Sequence, residues 1–404
     1  MRRINPTDFR IAHRGTSREI NRQIALNLVR TRQPISRAEL ARLMGVRRGA
    51  ISRIVQDLID TGQVFEGAKG ESKRGRKPQH LYIETRQRCV VAVDISASRT
   101  LVQVSDPLGH PLLPMAEIET PADPQDVVAR LAECITTLLT THTHVGQCLG
   151  VGVAIAGIVD PVRGRLRTAP TLGWRDVDLR EPLEDALLLP VSVENSVKAC
   201  VLAQVWAVRG AEQVEGPVAF VNASDGVGVG IAVDGQLLRG AHNSAGEFGH
   251  IPLGIEGPLC ACGRIGCWEA YVSVAATLAR YLGTDLSWSR AAERKPVTMS
   301  TIVERAAAGE ARAIETLEET GAFLGRGLAM VMKAVEPVRI YMSGEITEGW
   351  DVALPAVRKA MRDAALIPEA ADCEIVIVPL GDHPRLRGAA ALVTSPAFAA
   401  PVVA

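Results

Sequence analysis

Aromatic residues are scarce in this chain. Phe, Trp and Tyr make up 4% of its 404 residues, against 47% hydrophobic residues overall. The core must therefore be packed from aliphatic side chains, with few rings to anchor an interface. Net charge is also absent, because 45 basic residues balance 45 acidic ones. That excludes a uniformly polycationic protein. No apolar run can span a bilayer: the longest, Leu149–Val159, falls well short of the ~20 residues required. The first residues carry Arg2, Arg3, Asp8 and Arg10 without the apolar stretch of a secretory leader. Five of the eight cysteines (Cys89, Cys134, Cys148, Cys200, Cys373) are scattered rather than arranged as a disulfide framework. A reduced, cytoplasmic protein with no membrane partner is the expectation.

The zero net charge hides a division. Residues 1–88 hold 20 Lys and Arg against 8 Asp and Glu, a balance of +12, and the remainder carries −12. A basic head on an acidic body implies that the head meets a polyanion. Within it, Thr16 and Glu19 form a capping-box pattern that predicts the start of a helix, with Ile20, Ile24 and Leu28 along one face. Ser36 and Glu39 repeat the pattern before a second helix, with Leu40 and Leu43 directed inward. Gly45 allows a sharp turn, and a third helix is expected from about Arg47 to Thr61, closed by Gly62. Strand-like runs at 63–66 and 80–83 follow, separated by a basic loop. This is the order of a winged helix-turn-helix, whose third helix enters the major groove of double-stranded DNA. Arg47, Arg48, Ser52 and Arg53 are the candidates for base or phosphate contact. Arg74, Arg76 and Lys77 are the candidates for a wing reaching the minor groove, the alternative being a solvated basic linker.

A second local signal lies at 245–270. Three cysteines fall within eight residues, Cys260, Cys262 and Cys267, with His250 ten residues before the first. Three thiolates and an imidazole make a closed tetrahedral Zn²⁺ set, which leaves no position for substrate and so predicts a structural metal. Gly263 and Gly266 permit the tight turns such a loop needs. Three buried thiols beside an unrelated histidine are the alternative.

From Cys89 onward the chain alternates β-branched strands with glycine-rich turns, and 217–238 repeats the plan of 89–113. Two related lobes are expected, each a mixed sheet with helices. A helix is expected over 124–141, followed by one strand through LGVGVAIAGIV.

The ordered set Asp94-x-Ser, Ala-Gly157, Glu194-Asn195-Ser196, DGVGVG, AGEFGH and CxCGxxGCxE resembles the ROK group of sugar kinases and repressors. A winged helix before such a body is similar to its repressor branch. The resemblance implies an α/β chain with the actin-like ATPase fold, two ribonuclease-H-like lobes around a cleft. The expected domains are 1–85 (head), 86–200 (first lobe) and 201–384 (second lobe), with a C-terminal helix near 385–404 returning to the first lobe. It implies the same four zinc ligands. It also implies that Asn195, Glu247, His250 and Glu269 hold a sugar's hydroxyls, with the backbone at Gly157 lining the cleft.

The chain departs from the family's kinases on the nucleotide side. Ser196 stands where they carry the Asp general base, and serine's pKa is far from neutral. Ser96 replaces the glycine of the first phosphate loop, Val227 the threonine of the second, and Ser343-Gly344 a Gly-Gly. No catalytic residue is therefore assigned. The expected function is a homodimeric or homotetrameric transcriptional regulator of carbohydrate genes, a repressor, controlled by a sugar or sugar derivative. The alternatives are an active sugar kinase with an appended DNA-binding head, or a body controlled by a protein partner.

Overall fold

A computed structural model describes residues 14–69, 78–97, 99–207, 216–285 and 297–398. The head begins with α1 (Arg14–Arg32), β1 (Ile35–Ser36), α2 (Arg37–Leu43) and α3 (Arg48–Asp60). It ends with β2 (Val64–Lys69) and β3 (Gln79–Ile83), and its sheet runs in the order β1-β3-β2. The capping box of α2 forms as expected: Ser36 Oγ accepts the Glu39 N–H, and the Glu39 carboxylate accepts the Ser36 N–H at 2.9 Å. Such a cap stabilises a helix by about 1 kcal/mol. Gly45 and Gly62 both take positive φ, +64° and +61°, at the two turns flanking α3.

Three expectations for the head are corrected. Thr16 lies inside α1, not at its start, because nothing in Arg14–Gly15 forbids helical geometry. The inward stripe of α1 is Ala25, Leu26 and Val29; Ile24 is 43% exposed. Apolar residues occur in α1 at more than one phase, and packing against α3 selects one of them. Leu43 is likewise exposed, with Leu40 and Ala41 facing the core. Leu26, Leu40, Ile51 and Leu58 are wholly buried, each contributing about 2 kcal/mol by removal from water.

The body's first sheet is built from β4 (Arg88–Ile95), β5 (Arg99–Ser105), β6 (Ala116–Glu119), β7 (Gln147–Ile155) and β11 (Val191–Asn195). It is flanked by α4 (Pro124–Thr141) and α5 (Arg180–Leu187). A small sheet of β8 (Ile158–Asp160), β9 (Arg165–Ala169) and β10 (Trp174–Asp178) projects from it. The single strand expected through LGVGVAIAGIV is two, β7 and β8. Gly157 (φ +129°) turns the chain between them, and a Cβ there would lie 2.3 Å from the Thr168 carbonyl oxygen. α6 (Ser196–Ala207) follows β11.

The second sheet comprises β12 (Val218–Ala223), β13 (Val227–Val233), β14 (Gln236–Leu237), β15 (Arg339–Ser343) and β16 (Glu374–Ile377). Its helices are α7 (Glu269–Val272), α8 (Val274–Leu282), α9 (Met299–Ala307), α10 (Ala311–Val335) and α11 (Trp350–Ala364). The chain closes with α12 (Pro384–Phe398).

The two five-stranded sheets have one topology. The first runs β6-β5-β4-β7-β11 and the second β14-β13-β12-β15-β16, in each case with antiparallel pairs on one side of the central strand and parallel pairs on the other. This is the repeated ribonuclease-H-like plan. α12 returns to the first sheet, pressing so close to β7 that a Cβ on Gly152 would meet the Ala389 carbonyl. α6 serves both sheets. Ala199 and Leu202 pack with α12 and the first, while Val197, Cys200 and Val201 pack with the second. Residue 200 thus lies within a helix common to both lobes. At its far end α6 meets the head: Arg30 of α1 donates to the Trp206 carbonyl at 2.6 Å and lies 4.8 Å over the Trp206 ring. No helix among the described residues is long and apolar enough to cross a membrane.

Candidate functional site

The cysteine loop is shaped by its backbone. Two isolated bridges, Pro252 with Cys267 and Leu259 with Ile265, close it. Cys260 N–H donates to the Arg264 carbonyl, and Gly263 N–H to the Cys260 carbonyl. Gly263 and Gly266 supply positive φ, +84° and +75°. One donor atom from each of His250, Cys260, Cys262 and Cys267 lies within 4.8 Å of all the others. Cys260 Sγ is 3.7 Å from His250 Nδ1, and Cys262 Sγ is 3.7 Å from Cys267 Sγ. A tetrahedron with metal–sulfur bonds of ~2.3 Å has ligand–ligand edges of about 3.7 Å. The donor set and its spacing therefore suit a metal ion, with His250 presenting Nδ1. Burial pushes the Cys260 and Cys267 thiols up, so thiolates here require a cation beside them.

The remaining expected residues lie at the end of β11 and around the cysteine loop. Asn195 ends β11 and caps α6: its Oδ1 accepts the N–H groups of Val197 and Lys198, both at 3.0 Å. Its Nδ2 donates to the Gly157 carbonyl at 2.8 Å, so the fold brings Asn195 and Gly157 together. Glu247 precedes the short turn that carries His250. Burial raises its carboxyl, against the opposing influence of His250 and Lys198. Glu269 begins α7 and is 8% exposed. Its Oε2 accepts the Val227 N–H at 2.9 Å, and its Oε1 lies 3.4 Å from Cys260 Sγ. This carboxylate thus links the cysteine loop to the β12–β13 turn and retains lone pairs for another donor.

Three charged residues beside this site went unassigned in the sequence. Lys198, only 3% exposed, donates from Nζ to the Asn243 carbonyl. Burial lowers its ammonium, while Glu194 and Glu247 oppose that shift. Glu194 pairs with Arg239 from the second lobe. The available signal was Lys198 itself, the one charged side chain in the otherwise uncharged SVKACVLAQVWA helix.

At the first of the loops that the resemblance pairs with phosphate, Asp94, next to last in β4, is almost fully buried, and burial raises its carboxyl. Arg385 of α12 places Nη1 3.9 Å from Asp94 Oδ2 and also faces the charges of Asp225 and Glu345 from the second lobe. Ser96 turns its hydroxyl onto the Arg99 carbonyl at 2.6 Å, within the β4–β5 turn. Val227 and Ser343 are buried.

In the head, Arg47 is the N-cap residue of α3, and Arg47, Arg48, Ser52 and Arg53 are all exposed at that end of the helix. Ser52 Oγ donates to the Arg48 carbonyl at 3.0 Å, which commits its proton within the helix and leaves its lone pairs outward. Arg37 ties α2 to this surface through Glu66 at 2.9 Å and the Ser52 carbonyl at 3.3 Å. The wing candidates Arg74, Arg76 and Lys77 lie outside the described residues.

A basic helix-turn-helix head on a duplicated actin-like body with a cysteine-rich loop defines a class, a regulator-type protein with a kinase-like body. The pattern of the ROK family matches residues 90–395, and the chain belongs to that family. It is 25% identical over 386 residues to the xylose repressor of Bacillus subtilis, covering 95% of this chain and 97% of that one. A crystal structure of a ROK family transcriptional regulator, homolog of the E. coli MLC protein, superposes with a TM-score of 0.78 at 23% identity, covering 95% and 97% of the two chains. A ROK family glucokinase from Streptomyces griseus, solved with glucose and AMPPNP, superposes with a TM-score of 0.62 at 27% identity. It covers 75% of this chain and 98% of its own. The regulators therefore match the whole chain, whereas the kinase matches about the length of the body.

Proposed function

We propose that the protein is a sugar-responsive transcriptional repressor in which a kinase-type cleft binds a sugar or sugar derivative without phosphorylating it. The observation that carries this reading is the course of α6. Its first turn is capped by Asn195 and carries Lys198 at the cleft, and its last turn holds Arg30 of the DNA-reading head. One helix thus reaches from the proposed cleft to the head. A ligand that favours one lobe arrangement biases the head through it, by no more than its differential affinity for the two arrangements.

In this reading Asn195, Glu247, His250 and Glu269 pair with sugar hydroxyls, and Gly157 lines the cleft. Zn²⁺ held by His250, Cys260, Cys262 and Cys267 is structural and fixes the loop that carries His250 and Glu269. The metal supplies rigidity to the site, not chemistry. Arg47, Arg48, Ser52 and Arg53 contact an operator, and Arg74, Arg76 and Lys77 add wing contacts. A homodimer or homotetramer would present paired heads to a palindromic operator, in the cytoplasm. Kinase activity is disfavoured by Ser196 in the base position and by Arg385 beside Asp94.

The test is operator retention by the full-length chain, using duplexes from upstream of its own gene, with and without a panel of pentoses, hexoses and their phosphates. Selective retention, released by one class of sugar, is the expected result. Equal affinity for random duplex, or ATP-dependent phosphorylation of any panel sugar, would overturn the reading.

A further inference from the structure

A second cavity, of about 320 Å³, lies away from the cleft at the seam between head and body. Four elements build it: α1 contributes Arg30, the turn after β5 contributes Leu108 and His110, α6 contributes Trp206, and α12 contributes Arg387 and Thr394. Its size is that of a small-ligand pocket. Its lining combines an apolar wall of Leu108 and Trp206 with three basic groups, Arg30, His110 and Arg387, and includes no carboxylate among the described residues. Two of the basic groups have acidic partners: Asp106 Oδ2 is 3.0 Å from His110 Nδ1, and Asp382 Oδ2 is 3.7 Å from Arg387 Nη1.

Two of the basic groups are pre-positioned. Asp106 Oδ1 accepts the N–H groups of Leu108 and His110 at 2.8 and 2.9 Å, which fixes the turn carrying the imidazole. Arg30 is held by the Trp206 carbonyl and lies over its indole. Guanidinium groups so arranged suit a planar or tetrahedral oxyanion. The adjoining indole and leucine suit an organic body.

We propose that this cavity is a binding site for a small organic anion, a phosphate monoester or a carboxylate, separate from the proposed sugar cleft. Head and body both contribute walls, so the complete site exists only when the head is docked as seen here. A bound anion therefore favours the docked arrangement by linkage and acts on operator affinity independently of the sugar cleft.

The experiment is calorimetric titration of the full-length, metal-loaded protein with inorganic phosphate, citrate and glucose 6-phosphate at constant ionic strength. Each is repeated with Arg387→Gln, His110→Gln and, as the cleft control, Glu247→Gln. Both seam substitutions are at partly exposed side chains, and circular dichroism with zinc content verifies their folding. The expected result is binding of at least one probe, weakened tenfold or more by Arg387→Gln and by His110→Gln and unchanged by Glu247→Gln. Phosphate alone binding identifies a phosphoryl group as the recognised end, and citrate alone a carboxylate. No binding of any probe at 10 mM, roughly the weak end of small-ligand affinity, overturns the proposal. Binding that only Glu247→Gln abolishes does so too, because it returns the anion to the cleft. Failure here leaves the repressor reading standing, since that reading is tested by sugar release from operator DNA.

Discussion

Arg385 of α12 directs its guanidinium to within 3.9 Å of Asp94 Oδ2 at the end of the central strand of the first lobe. The same guanidinium faces Asp225 and Glu345 from the second lobe. Arg385 thus places a protein cation among acidic side chains of both lobes. Burial nonetheless dominates at Asp94 and holds its carboxyl above the ordinary 3.8. A carboxyl raised in the folded state contributes stability that is complete below its unfolded pKa and is lost as pH rises through the folded value. Asp94→Asn removes that loss. The melting temperature of the variant relative to the wild type should therefore become more positive between pH 4 and pH 7. A relative melting temperature that is flat over that interval and rises as the pH is lowered below about 4 would mean the attraction of Arg385 outweighs burial.

The cysteine loop should hold one zinc ion per chain by elemental analysis, and Cys262→Ser should reduce that to a small fraction. Chelation should lower the melting temperature of the body and abolish the sugar response. Operator binding should survive at the level of the sugar-free protein, because no zinc ligand lies in the head. A purified protein with a full complement of reactive thiols and no metal would contradict this.

Glu247→Gln keeps the shape of the side chain and removes its charge. Operator affinity should stay within about twofold, and the sugar concentration needed for release should rise at least tenfold, in line with the ~1.5–3 kcal/mol of a charged hydrogen bond. Normal release by the inducer would remove Glu247 from the site.

Lys198 holds the Asn243 carbonyl and so anchors the loop that leads to Glu247. Lys198→Met replaces a buried cation by an apolar chain of similar length. Sugar affinity should weaken by roughly tenfold as the loop loses its anchor, whereas thermal stability should fall by less, because removing the ammonium's desolvation cost partly offsets the loss of a cation beside Glu194 and Glu247. Equal losses in affinity and stability would indicate a purely structural lysine.

Arg47→Ala and Arg48→Ala distinguish two modes of DNA contact. Loss of a base contact costs about 1–3 kcal/mol at the operator and relaxes sequence preference. Loss of a phosphate contact weakens all duplexes alike and reduces the salt slope by about one. Filter binding across a salt series separates them, and an unchanged slope with unchanged affinity excludes the residue.

The parts of this protein legible from sequence are those whose partners are close along the chain. The Ser36–Glu39 box, the 124–141 helix and the Cys260–Cys267 loop are set by local capping, periodicity and ligand spacing, and they formed as expected. The duplicated sheet was legible because each lobe repeats the same order of strands and turns. By contrast, α1 carries apolar residues at several phases, and its buried face was settled by α3. The Asn195–Gly157 bond joins residues 38 apart, and the Glu269–Val227 bond residues 42 apart. The Arg30–Trp206 contact spans 176. A residue's neighbours at such separations depend on how strands and helices stack, which no local pattern encodes. The amino-acid sequence thus determined the elements, the cysteine loop and the basic head. Only the tertiary structure decided that α6 runs from the cleft to the head, that Arg385 reaches Asp94, and that three basic groups meet at the seam, because packing alone brings those distant side chains within reach of one another.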